Sequence, residues 1–75
     1  MAKIDFWDLI STTKWRSMWD LYHDLKYYNA TYKTQLLTDG RQLFAITRGN
    51  TTHYYFLFEG VKRGLFKKHK VYYLV

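Results

Sequence analysis

The sequence predicts an α+β fold: an N-terminal helix, or two, packed on one face of a three- to four-stranded antiparallel β-meander. Three observations carry this expectation. Residues 1–31 contain no glycine or proline and repeat apolar side chains at helical spacing. All four glycines (Gly40, Gly49, Gly60, Gly64) fall in residues 32–75, where they punctuate strand-like runs. Charge divides at the same place. Four Lys/Arg and four Asp cancel in residues 1–31, whereas eight Lys/Arg against two acids in residues 32–75 leave the whole net charge of +6.

Seventy-five residues make one domain, 1–75, with a helical part (1–31) and a basic meander (32–75). A chain of this size buries only about 60% of its unfolded surface. With no cysteine, neither disulfides nor thiolate-held metals can help. The core must come from side chains, of which 48% are apolar and 21% aromatic.

A short first helix is expected around Ile4–Ile10, with Asp5 well placed near its N-terminus. Ser11, Thr12 and Thr13 then break the helix and offer an N-cap for the next. In the second helix Trp15, Met18, Trp19, Tyr22 and Leu25 form one stripe, widened by Leu21 and Tyr28. The competing view is one helix from 4 to 28. Trp7, Trp15 and Trp19 read most simply as core anchors.

Four strands follow: Lys33–Thr38, Arg41–Arg48, Thr52–Glu59 and Lys70–Val75. Asp39-Gly40 reads as a two-residue type I′ turn, and Gly49-Asn50 as a second turn of two, three or four residues. The first turn sets Leu36 opposite Leu43, Thr34 opposite Ala45 and Gln35 opposite Phe44. A two- or four-residue second loop then collects Leu36, Leu43, Ala45, Tyr54, Phe56 and Phe58 on the face that receives the helix. Lys33, Gln35, Phe44, Ile46, Arg48, His53, Tyr55 and Leu57 form the other face. A three-residue loop would flip the third strand and put Phe44 and Ile46 in the core.

The densest feature is Lys62-Arg63-Gly64-Leu65-Phe66-Lys67-Lys68-His69-Lys70, with five permanent cations and Glu59 as the one nearby acid. Such a patch attracts phosphate, and each neutralised phosphate releases a counterion. Phe66 is available to stack or wedge. The expected binding residues are Lys62, Arg63, Phe66, Lys67, Lys68 and Lys70, with Arg48 and an outward Tyr55 on the open face. The blander account is a solvated basic loop guarding a sheet edge.

Asp20, His23 and Asp24 share a helical face at i, i+3 and i+4, a spacing compatible with a divalent metal, but pairing of Asp20 with Arg16 is the simpler account. No metal or cofactor is expected. His53 and His69 with Tyr55, Arg48 and Lys67/Lys68 supply the groups for RNA cleavage, yet too few other candidates exist to expect an enzyme. The leading expectation is a small nucleic-acid-binding module for DNA or RNA, of a size typical of phage or plasmid accessory genes. The alternative is an inhibitor or adaptor that docks on an acidic protein or nucleoprotein. The edge strand Val71–Val75 offers a route to a homodimer. No apolar run reaches membrane-spanning length and acids interrupt the N-terminal apolar segment, so a cytoplasmic protein without membrane contact is expected.

Overall fold

The computed structural model describes residues 5–75, so the expected helix start at Ile4 lies outside the described residues. Two helices, α1 (Phe6–Thr12) and α2 (Met18–Tyr27), precede four strands. These are β1 (Thr31–Leu36), β2 (Gln42–Arg48), β3 (Thr51–Arg63) and β4 (Lys68–Leu74), antiparallel in the order β1-β2-β3-β4. The α+β meander is as expected. No helix among the described residues is long and apolar enough to cross a membrane.

The helix break falls later than the sequence suggested. Thr12 Oγ1 donates to the Asp8 carbonyl at 2.7 Å and Thr13 Oγ1 to the Leu9 carbonyl at 2.6 Å. These hydroxyls therefore close the end of α1 instead of capping α2. The cap of α2 is Ser17, whose Oγ accepts from the Asp20 amide at 3.2 Å. Trp15 consequently lies in an extended connector, and the inward face of α2 is Met18, Leu21, Tyr22 and Leu25. Trp19, one residue round the helix from Met18, is 75% exposed and anchors no core. The helix ends in a Schellman arrangement. Asn29 takes φ +59°, the Ala30 amide donates to the Leu25 carbonyl at 2.8 Å, and the Asn29 amide donates to the Lys26 carbonyl at 3.1 Å.

The first hairpin corrects the expected register by one residue. Leu36 faces Gln42, Gln35 faces Leu43, and Thr34 faces Phe44. The Gly40 amide donates to the Leu37 carbonyl at 3.0 Å, and the Leu37 amide to the Arg41 carbonyl at 2.8 Å, enclosing a three-residue loop. Only Gly40 within that loop takes a positive φ, +91°, where the expected type I′ turn would require one at Asp39 too. Asp39 is instead fixed by Arg41, whose amide donates to Oδ1 at 3.0 Å and whose Nε donates to Oδ2 at 2.6 Å. The second loop has two residues: Arg48 faces Thr51, and Gly49 has φ +63°. Glycine at the first central position suits a type II′ turn.

The slip sends Lys33 and Gln35 to the same face as Leu43, Ala45, Thr47, Thr52 and Tyr54. Phe44, Ile46, Leu57 and Leu74 remain as the more continuous apolar set, and the helices cover that face. The core unites Phe44, Ile46 and Leu74 with Phe6, Ile10, Trp15, Leu21, Leu25 and Ala30. The face expected to receive the helix is thus the open one, with Tyr54 and Phe58 exposed. Leu36 leaves that set for the helix side, but beyond the helices it too stays exposed.

Trp15 completes the fold at the β4 edge. Its amide donates to the Tyr72 carbonyl at 2.8 Å, and the Tyr72 amide donates back at 2.7 Å. The edge expected to be free for a homodimer is therefore occupied at its centre. Among the described residues, β1 has no strand beside its outer edge, and its six residues are all exposed.

Two measurements probe this architecture. Phe44→Ala empties the middle of the core and should cost about 3–5 kcal/mol in urea unfolding. The Asp39 carboxyl is held below its ordinary value of 3.8, first by the hydrogen bond from the Arg41 amide and then by the Arg41 side chain. The stability it contributes is complete at neutral pH and is lost as pH falls below that value. The melting-temperature gap between wild type and Asp39→Ala should therefore narrow between about pH 5 and about pH 2.

Candidate functional site

Strand β3 is longer than its partner on one side. Residues Thr51–Leu57 pair with β2, whereas Phe58–Arg63 pair with β4 alone, ending at Arg63 opposite Lys68. A two-stranded ribbon therefore runs past the body of the sheet. It closes where the Gly64 amide donates to the Lys67 carbonyl at 2.7 Å. A Cβ at Gly64 would lie 2.9 Å from that same oxygen, so the close approach requires glycine. Leu65 and Phe66 form the tip, 90% and 91% exposed.

The basic segment expected to be a loop is thus mostly strand, and strand alternation distributes its charges. Val61, Arg63, Lys68 and Lys70 share one side of the ribbon; Lys62 and His69 share the other. Arg63 and Lys68 stand directly opposite, a like-charge pair that weakens an isolated ladder. Lys70 is the exception among the expected binders, because its Nζ lies 3.5 Å from Glu59 Oε2. Lys62, Arg63, Lys67 and Lys68 make no ion pair among the described residues.

Arg16 joins this patch, which sequence reasoning missed. It was assigned to a helical face beside Asp20, but it precedes α2 and no Arg16–Asp20 ion pair forms among the described residues. The pairing of neighbouring Trp15 with Tyr72 carries it along the β4 edge toward the tip. Arg16 and residues 64–69 line an open concavity of about 420 Å³. No local pattern around Arg16 signals this, since the contact depends on the far end of the chain.

Two expected binders lie elsewhere. Arg48 Nε donates to the Tyr28 carbonyl at 2.9 Å, and its guanidinium sits 5.1 Å from the Phe6 ring centroid. It joins the end of α2 to the end of β2. Tyr55 is not outward: it is half-buried on the helix-covered face, its ring near-parallel to Trp7. Burial, and secondarily the Asp5 charge, push its phenol above the ordinary 10.0.

His53 stacks on Trp7 with ring centroids 4.1 Å apart, and its Nδ1 is 3.4 Å from the Tyr55 hydroxyl. His69 lies opposite Lys62, nine residues along β3 from His53. At strand rise that is roughly 30 Å, so the two histidines cannot act on one phosphate. Asp24 Oδ2 accepts from the Trp15 indole at 2.8 Å, which gives the Asp20/His23/Asp24 face a structural job. Among the described residues no three His, Asp or Glu side chains form a metal-binding group.

Compared with protein-family models, curated proteins and solved structures, the chain matches none. Because Arg48 is a structural clasp, Arg48→Ala should lower stability by about 1–2 kcal/mol in urea unfolding.

Proposed function

We propose that the protein binds nucleic acid through the β3–β4 ribbon. The observation that carries this reading is the set of unpaired cations on both strands and both sides of the ribbon, with Arg63 facing Lys68. A phosphate between two like charges removes their repulsion and gains charge-assisted hydrogen bonds. Lys62, Lys67 and Arg16 extend the positive field around the tip. Lys70, partly neutralised by Glu59, contributes less. Helices α1 and α2 and Arg48 serve as scaffold.

A second reading, docking on an acidic protein, draws on the open sheet face, where exposed Tyr54 lies in one row with Ala45 and Lys33. Partners retained in a pull-down after nuclease treatment would favour it over nucleic acid.

The test is a mobility-shift titration over a salt series. With Lys62, Arg63, Lys67, Lys68 and Arg16 each meeting one phosphate, log K should fall with log salt at a slope of about −4 to −5 on duplex DNA. Removing Arg63 and Lys68 together should shrink the slope by about two, while Arg48→Ala leaves it unchanged wherever the protein is folded. An affinity indifferent to salt would overturn the reading.

A further inference from the structure

We propose that Leu65 and Phe66 are a wedge that enters a groove of duplex DNA and kinks it, an inference that rests on the ribbon binding nucleic acid. Turn chemistry is the first argument. The other two hairpins use Thr38-Asp39-Gly40 and Gly49-Asn50, residues whose conformational freedom suits tight turns. The third turn puts leucine and phenylalanine at its two central positions, almost wholly in water. A local rule broken in one hairpin of three points to a use for the residues that break it. Among the described residues neither side chain joins the core.

The placement of charge is the second argument. Behind the apolar tip, cations recur on both strands, Lys68 on β4 and Arg63 and Lys62 on β3, with Lys67 in the loop just before β4. They are set back by up to about 10 Å and face both sides of the ribbon. A groove places phosphate rows on both sides of an inserted ribbon, so every one of these cations finds a partner. A flat anionic bilayer touching the tip would leave the rear cations about a Debye length from its surface. Apolar side chains that enter between base steps unstack them and bend the duplex. The burial of one leucine and one phenylalanine is comparable to the cost of unstacking one step. Flexible pyrimidine–purine steps lower that cost and should be the preferred sites.

The experiment compares wild type with the double variant Leu65→Ser/Phe66→Ser, whose changes lie at exposed positions. Both are titrated onto a duplex of about 25 base pairs carrying fluorophores at its ends, with a central TA step. Wild type should bring the ends closer at saturation. The double variant should still bind, about tenfold more weakly, with no change in end-to-end distance. Saturating binding without bending, or bending that survives in the double variant, overturns the wedge and leaves the binding reading standing. No salt-sensitive binding to duplex DNA, single strands or RNA overturns both. Phosphatidylserine vesicles form a parallel arm: tip-dependent co-sedimentation with vesicles, with duplex DNA left unbent, would make the tip a membrane contact and also overturn the wedge.

Discussion

Trp15 is the residue on which the arrangement depends. Its ring is buried, its indole donates to Asp24 on α2, and its backbone pairs with Tyr72 on the outer edge of β4. One residue thus fixes the second helix against the sheet, seals part of an edge and aims Arg16 at the ribbon. An edge left open at β4 would expose unpaired amides and carbonyls beside apolar side chains, a setting for unwanted pairing. The buried tryptophan also keeps the connector extended, because both its amide and its carbonyl are committed to the sheet.

The sheet illustrates how a small register change reorganises a surface. A hairpin loop one residue longer than expected moves β1 by one place, and side-chain parity does the rest. Lys33 and Gln35 join a face already holding Thr47 and Thr52, and that face faces water. Aromatic groups there find local partners: the Arg41 guanidinium lies 4.5 Å from the Phe56 ring centroid, and Phe58 stacks on Tyr73. Such contacts reduce the exposed apolar area without forming a second core.

Much of this was legible in the sequence, and the failures have identifiable causes. Glycine placement and charge partition located the boundary between helices and meander, because both properties follow local backbone demands. The two turns were found at Asp39-Gly40 and Gly49-Asn50, but the length of the first was not. The same Asp39-Gly40 pair also suits a three-residue loop in which Gly40 alone takes positive φ, and residue types do not choose between the two lengths. The helix stripe failed at Trp15 and Trp19, since periodicity cannot reveal that Thr12 and Thr13 end one helix and Ser17 begins the next. At the site, Lys62, Arg63, Lys67 and Lys68 stood out as a cluster, while their division between two strands required pairing. Arg16 was invisible because what places it is long-range, and the carbonyl that holds Arg48 is likewise twenty positions away.

The pairing of Trp15 with Tyr72 has a consequence for biosynthesis. Residues made early are completed by residues made late: α2 is tied through Trp15 to β4, and Leu74 lies in the same core as Phe6. Contacts so distant along the chain cannot form while β4 is still within the ribosome. The helical segment therefore emerges with its apolar face uncovered and must wait for its partners. Docking of the helices therefore waits for β4, and the interval before β4 emerges is when the nascent chain is most exposed to proteases and chaperones.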